Sequence, residues 1–404
     1  MLPPSVLLRG PGWRLPASLD LREPVEVREV PAGRPDALPG LLAWLDDVAA
    51  SGRPERIAAG FLTYEAGVAL EGSAALFREP STPLAWFALF DLAKAGTRGS
   101  PGGTSRDDPG ERGEPGPAPA ETADERAVGR EVAAWVAAVG ALREGIARGD
   151  VYQANLTRRI VRDARVSPRE LAGLLWDDNP VPYAICVDVG PFAVVSNSPE
   201  LFLDVDLEGG RVSSAPIKGT VPRLLGGSSE AARAALLASE KDAAEHLMIV
   251  DLIRNDLGRV CRAGSVHVPD FRSVRSFRHL HHLESTVNGV LRPETRLSDL
   301  LVATLPGGSI TGAPKRAALG FIRKLEPVPR GPYTGAAGFV RGDGTAVLNV
   351  AIRTALVDSS TVAYHAGGGI VWDSDPLGEW EETETKSREF FRALAAAAGT
   401  REVP

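Results

Sequence analysis

Pro216-Ile217-Lys218-Gly219-Thr220 places a lysine between a strand end and a glycine turn. Glycine lets the backbone turn sharply and approach a ligand closely. A lysine held there can meet a substrate as a desolvated amine rather than a solvated cation. On these five residues alone, a surface lysine beside a turn is the more ordinary case. Other polar clusters change that balance. Lys241-Asp242-Ala243-Ala244-Glu245-His246 puts Asp242 and Glu245 at i and i+3 on one helix face. Glu379-Trp380-Glu381-Glu382-Thr383-Glu384-Thr385-Lys386 does the same with Glu379 and Glu382, and Lys386 lies one turn further on. Like charges one turn apart weaken a helix, and two such pairs brought together call for a cation between them. Hard oxygen donors without His or Cys suit Mg²⁺. Each pair alone is also what a solvated, Glu-rich helix shows.

Two glycine-rich segments follow the same theme. Leu305-Pro306-Gly307-Gly308-Ser309-Ile310-Thr311-Gly312-Ala313-Pro314-Lys315 leads into a helix whose N-terminus can face an anion. Ala366-Gly367-Gly368-Gly369-Ile370-Val371 lets backbone amides approach a ligand after a strand. Neither carries the GxxxxGK(S/T) or GxGxxG order of a nucleotide loop, and each also fits an ordinary turn. Ser198-Pro199-Glu200-Leu201-Phe202 sets a carboxylate at a strand start. Ala351-Ile352-Arg353-Thr354 puts a lone arginine in an apolar strand, where burial would demand an anionic partner. His282, in Leu280-His281-His282-Leu283, reads as a satisfied core histidine. No Cys or carboxylate stands at zinc-ligand spacing from it.

The elements that must position these residues suggest an α+β fold. Strands are expected at Val25–Val30, Leu84–Leu92, Val151–Val161, Tyr183–Val195, Leu201–Val205 and Arg211–Ala215, and Thr345–Leu356 with Thr361–Ala366 reads as a hairpin pair. Helices are expected near Leu38–Ser51, over Glu131–Arg148, as two pieces in Glu230–Leu257 with the second opening near Ser239, and over Trp380–Ala398. Residues 95–126 contain no Ile, Leu, Val, Met, Phe, Tyr or Trp, so they cannot bury a core and read as a disordered linker. They separate an N-terminal region, 1–94, from a larger region, 127–398. The former is too small for a substantial core of its own and is expected to pack on the rest.

Composition narrows the class. At 404 residues with 44% apolar and 24% charged residues, the chain reads as a soluble globular protein of one large or two smaller domains. A net charge of −7 argues against nonspecific nucleic-acid binding. No stretch of about 18 apolar residues suggests a membrane span, and the N-terminus lacks the charged and apolar regions of a signal peptide. Cys186 and Cys261 stand in unrelated contexts, which suits a reducing, cytoplasmic setting.

Taken together, Glu131 to Ala396 resembles the chorismate-utilising enzymes of the anthranilate synthase component I type, and among them the large subunits of aminodeoxychorismate synthases. The specific stretches are KDAAEHLMIVDLIRNDLGR from Lys241, LPGGSITGAPK from Leu305 and EWEETETKS from Glu379, with a fainter echo in Gly60-Phe61-Leu62-Thr63-Tyr64-Glu65. The resemblance implies a two-sheet sandwich with helices around a deep cleft. It implies Mg²⁺ held by Glu245 and Glu382, with Asp242 and Glu379 holding its waters or completing the shell, the metal clamping one carboxylate of chorismate. Tyr333, Arg353, the amides of Gly367, Gly368 and Gly369, and Lys386 would hold the other carboxylate and the ring, with Ser309 and Thr311 in the loop facing the substrate. His282 would lie near the enolpyruvyl or ring side. In this resemblance Lys218 stands where makers of anthranilate have Ala, in a PIAGT pattern, and where aminodeoxychorismate synthases have Lys, as the nucleophile. Glu200 would be the general acid. Gln153 replaces the water-activating lysine of isochorismate and salicylate synthases. No Gly-x-Cys-x-Gly elbow is present, so ammonia is expected from a separate glutamine amidotransferase.

Overall fold

The computed structural model describes residues 3–15, 18–93, 123–222, 228–276 and 280–399; side chains are not described at 123–127, 220–222, 228–229, 240–242 and 280. In chain order its elements are β1 (Ser5–Arg9), β2 (Leu19–Arg22), β3 (Glu26–Val30), α1 (Leu38–Ala49), β4 (Arg53–Leu62), α2 (Tyr64–Leu70) and β5 (Ala85–Asp91). Next come α3 (Ala123–Ala147), β6 (Gln153–Asp163), α4 (Pro168–Asp178), β7 (Tyr183–Asp188), β8 (Ala193–Ser198), β9 (Leu201–Asp206), β10 (Arg211–Ala215) and β11 (Ile217–Pro222). The chain continues through α5 (Ser228–Ala238), α6 (Glu240–Gly258), β12 (His267–Ser276), β13 (Leu280–Val290), α7 (Leu297–Thr304), β14 (Gly312–Ala313) and α8 (Lys315–Leu325). It closes with β15 (Ala336–Gly342), β16 (Thr345–Val350), β17 (Thr354–Val357), β18 (Thr361–Ile370) and α9 (Pro376–Ala397).

Among the described residues the strands form two antiparallel sheets. One runs β14-β6-β18-β17-β8-β7-β1-β2, the other β11-β13-β10-β9-β16-β15-β4-β5-β3, with β12 also paired to β13. Period-2 alternation assigns the faces. On β4, Ile57, Ala59 and Phe61 point between the sheets, where they meet Val6, Leu8, Val187 and Val194 of the other sheet. The alternate residues Ala58 and Leu62 point outward to Leu41, Leu45 and Leu301 of α1 and α7. The opposite outer face is covered by α4 and α9 through Leu171, Trp176, Phe390 and Leu394. The fold is therefore α+β, as expected. Residues 3–93 contribute strands to both sheets.

Local chemistry sets the helix starts. Asp375 caps α9 by accepting from the Gly378 N–H at 2.7 Å, with Pro376 in the first turn, so the helix opens one turn before Trp380. The expected break near Ser239 is present between α5 and α6. Three expectations need correction. Tyr183–Val195 is two strands, because Val189-Gly190-Pro191-Phe192 makes a tight turn closed by Val189 N–H to Phe192 O at 3.0 Å. Thr345–Leu356 is also two: β16 ends in one sheet and β17 begins in the other. Arg353 thus lies in the crossing between them, at φ 50°, rather than inside a strand. Third, Gly367–Gly369 does not follow a strand but forms the end of β18. Most of the expected linker, 95–122, lies outside the described residues, while 123–126 are in the first turn of α3.

Phe61 is fully buried between the sheets, with its ring centroid 6.4 Å from that of Phe192. Phe61→Ala is expected to cost about 3–5 kcal/mol. Urea unfolding should show this as a lower midpoint for the whole molecule, since β4 hydrogen-bonds to β15 along its length.

Candidate active site

Glycines create the space in which the site is assembled. The end of β18 pairs with the start of β6, setting Gly367 opposite Thr157, Gly368 opposite Leu156 and Gly369 opposite Asn155. A Cβ at Gly369 would sit 2.1 Å from Gln153 Nε2 and 3.1 Å from Lys218 Nζ. One at Gly368 would sit 3.1 Å from Glu379 Oε2, 3.6 Å from Glu382 Oε1 and 3.8 Å from Lys386 Nζ. Three glycines in a row let side chains of β6, β11 and α9 close on one strand, and at Gly367 a Cβ would sit 2.3 Å from Leu156 O.

Lys218 reaches this strand from β11, where the register slips between Lys218 and Thr220 and Gly219 takes φ 82°. Its Nζ lies 2.5 Å from Glu245 Oε2 on α6. Glu245 is buried, and among the described residues no hydrogen bond adds to that ion pair at Oε2. Lys386 Nζ lies 2.6 Å from Glu382 Oε1 and donates to Gly367 O at 2.8 Å. Glu379 accepts from Ser374 Oγ at 2.6 Å. Asp242 lies on α6, but its side chain is outside the described residues.

Glu200 sits in the tight link from β8 to β9, fully enclosed. Its N–H donates to Ser198 Oγ at 3.2 Å, and Ser198 Oγ donates to Val350 O at 2.6 Å. Its carboxyl Oε1 accepts from Ser309 Oγ at 2.8 Å. Burial pushes the Glu200 carboxyl up to about 7, with Ser309 and the charge of Lys218 opposing and Glu284 adding to the rise. A protonated carboxylic acid near neutral pH is what general-acid work requires.

The remaining expected residues divide. Thr311 is buried and spends its hydroxyl on Gly307 O at 2.7 Å, so it stiffens the 305–315 loop. Tyr333 is buried with its ring stacked on His365 at 5.2 Å, beside a cavity of 390 Å³ that Arg159, Arg330 and Thr354 also line. Half-buried Arg353 acts on His282, which burial first and that guanidinium next push down to about 3. His282 is therefore neutral and buried. Sequence reasoning missed Arg330, Glu326 and Glu65. Arg330 donates to both Glu326 oxygens at 2.9 and 2.7 Å, to Ile310 O at 2.9 Å and to Asn155 O at 2.6 Å. Glu65 accepts from the N–H groups of Arg330 and Gly331 at 2.8 and 3.0 Å. The available signal was an arginine between two prolines, three residues before Tyr333.

The donor chemistry around Gly368 and Lys218 fits a hard divalent cation: Glu245 and Glu379 are buried and Glu382 exposed, and among the described residues Glu245 Oε2 meets only an ammonium. As arranged, lysines stand on Glu245 and Glu382, and among the described residues no group of three or more His, Cys, Asp or Glu is gathered as a metal shell. Cys186 and Cys261 are buried and unpaired with each other, and burial pushes the Cys186 thiol up to about 12, which leaves it unsuited to nucleophilic work. No helix among the described residues is long and apolar enough to cross a membrane.

The chorismate binding enzyme family matches this chain over residues 23–392. Anthranilate synthase component 1 1 of Haloarcula marismortui is 40% identical over 317 residues, covering 77% of this chain and 61% of that protein. Aminodeoxychorismate synthase of Streptomyces griseus is 41% identical over 263 residues, covering 65% of this chain and 36% of that protein. The chain thus spans under two thirds of the length of these curated relatives. The crystal structure of anthranilate synthase component I from Streptococcus pneumoniae superposes with a TM-score of 0.73 at 26% identity, covering 93% of this chain and 92% of the other.

A raised carboxyl pKa also bears on stability. Glu200 binds its proton more tightly folded than unfolded, so the native state loses stability as pH rises from about 4.5 through about 7. Glu200→Gln is expected to leave thermal stability unchanged at pH 5. At pH 8.5 it should raise stability relative to the parent, by up to an order of 3 kcal/mol. Melting curves at the two pH values check this; an equal effect at both would show that Glu200 is ionised throughout.

Proposed function

We propose that this chain, which belongs to the chorismate binding enzyme family, aminates chorismate at C4 to give 4-amino-4-deoxychorismate, using ammonia from a glutamine amidotransferase subunit. The product would supply 4-aminobenzoate and hence folate-type precursors after elimination by another enzyme. The observation that carries this reading is the placement of Lys218. A bulged strand holds its Nζ against the glycine strand, near enough to buried Glu200 for its charge to act on that carboxyl.

The steps assigned to the chain's residues are these. Lys218 Nζ, having lost a proton to solvent to become the neutral amine, attacks ring carbon C2, the double bonds shift, and the C4–O bond breaks. Glu200 gives its proton to the departing hydroxyl, which leaves as water. Ammonia then attacks C4, the double bonds shift back, and the C2–Nζ bond breaks to return the lysine amine. Glu200 recovers its proton from the new ammonium or from solvent. One difficult substitution becomes two easier ones. Tyr333, Arg353, Lys386 and the amides of Gly367–Gly369 would bind the carboxylate and ring, and neutral His282 would pack against the substrate. Gln153 offers an amide beside Gly369, which cannot deprotonate water. Mg²⁺ held by Glu245 and Glu382, with Asp242 and Glu379 supporting it, would neutralise one substrate carboxylate.

A second reading, amination at C2 as in an anthranilate synthase, is favoured by the name of the Haloarcula relative and its similar identity. Lys218 discriminates between the two. With chorismate, Mg²⁺ and an ammonium salt, purified protein is expected to yield 4-aminobenzoate only when an aminodeoxychorismate lyase is added. Lys218→Ala should reduce that yield by at least about 10³-fold, the scale of losing a nucleophile. Anthranilate formed without lyase would assign C2 chemistry instead. Gly369→Ala, whose methyl would meet Gln153 and Lys218, is expected to cut turnover at least about tenfold while the protein stays folded.

A further inference from the structure

The two carboxylates assigned to the cation each carry a lysine. Lys218 Nζ stands 2.5 Å from Glu245 Oε2, and Lys386 Nζ 2.6 Å from Glu382 Oε1. The lysines come from different elements, β11 and α9, and both tips lie along the glycine strand: 3.1 Å from a Cβ position on Gly369 and 3.8 Å from one on Gly368. The two pairs differ in environment. Lys218 and Glu245 have side-chain exposures of 22% and 6%, whereas Lys386 and Glu382 have 43% and 52%. A carboxylate as enclosed as Glu245 is costly without a positive partner, and among the described residues Lys218 supplies it. An ammonium and a divalent cation compete for the same oxygen lone pairs. Lys386 is already bonded to the Gly367 carbonyl, and Lys218 borders the space in front of Gly369.

We propose that Lys218 and Lys386 are displaceable stand-ins for the divalent cation. They hold Glu245 and Glu382 in the metal-free protein, lower its affinity for metal, and are turned toward the substrate when the cation enters. This rests on the assignment of Glu245 and Glu382 as metal carboxylates made above. Seating the cation then frees the two lysines to meet an anionic ring, so metal and dicarboxylate substrate bind with positive linkage. The enclosed pair dominates, because exposed pairs are worth little.

The test is Mn²⁺ alone, titrated into the full chain without substrate, with free Mn²⁺ read by electron paramagnetic resonance. Lys218→Met is expected to tighten Mn²⁺ binding by at least about tenfold. Lys386→Met should tighten it by no more than about threefold. Lys218→Arg, which keeps the charge, should bind as weakly as the parent, and Glu245→Gln should abolish binding. Where Lys218→Met destabilises the metal-free protein, Mn²⁺ should raise its melting temperature more than it raises the parent's. Equal Mn²⁺ affinity in Lys218→Met and the parent, with Glu245→Gln still abolishing it, overturns the proposal and leaves the metal assignment standing. Binding that survives Glu245→Gln, or that is absent in the parent and in Lys218→Met alike, overturns both.

Discussion

The charge of Arg330 has nowhere to go but into the molecule. Its side chain is 1% exposed, a position where an unpaired guanidinium would cost several kcal/mol. Each partner it recruits belongs to a segment bordering the site. Ile310 O is in the loop that carries Ser309. Asn155 O is two residues into β6 from Gln153. Thr334 Oγ1, at 3.3 Å, adjoins Tyr333. Glu326 also accepts the Thr157 N–H at 2.9 Å, and the ring of Tyr64 lies 4.4 Å beneath the guanidinium. Satisfying one buried cation therefore fixes the 305–315 loop, β6, the turn from Glu326 to Thr334 and the N-terminal helix α2 relative to one another. Glu65 closes the arrangement from α2 by holding two backbone N–H groups of the turn before Tyr333. α2 is thereby tied to the turn before Tyr333 through hydrogen bonds as well as through apolar contact.

The glycine strand is the complementary constraint. Arg330 determines where the segments stand, and Gly367–Gly369 determine how near the charged tips can come. With no side chains on three consecutive residues, the tips of Gln153, Lys218, Glu379, Glu382 and Lys386 border the strand instead, and the two lysines pair with Glu245 and Glu382. Glu200 lies just outside this pairing. It receives a serine hydroxyl where Glu245 receives an ammonium. One carboxyl is thus left to its burial and held near neutrality, while the other keeps a positive partner. The same residue type thus stands in two environments, and the difference lies in the neighbour, not in the carboxyl.

Much of this was legible locally. The i, i+3 carboxylates announce shared helix faces, and the break near Ser239 separates α5 from α6. The alternation of Ile57, Ala59 and Phe61 and the Asp375-Pro376 cap are local signals too, but no strand was expected at 53–62 and the last helix was expected only from Trp380. The misread segments are ones in which local pattern carries no boundary. Both faces of β7, β8, β16 and β17 are buried, so the apolar run continues through the turn at Gly190 and through the crossing at Arg353 without a change of period. Arg330 was missed for a different reason: Glu326 stands four residues away, but Ile310 and Asn155 are 20 and 175 residues away, and no spacing rule reaches that far. Thr311 shows the converse, a residue expected in the substrate-facing loop whose hydroxyl is spent on that loop's own backbone.

Overall similarity is a poor guide to which ring carbon receives nitrogen. The Haloarcula and Streptomyces proteins carry different enzyme names at 40% and 41% identity. Each number averages over the whole matched stretch, 317 and 263 residues, so it reports little about any one side chain. Both routes would begin with loss of the same hydroxyl under the same acid. They would diverge on which nitrogen reaches C2 first. An amine tethered on a bulged strand reacts at an effective concentration that can reach about 10⁵–10⁸ M when well aligned, far above any dissolved ammonia. With Lys218 in place, ammonia would lose the contest at C2 and find C4 as the position left to it. The outcome would then be decided by a single side chain and by the glycine turn that aims it.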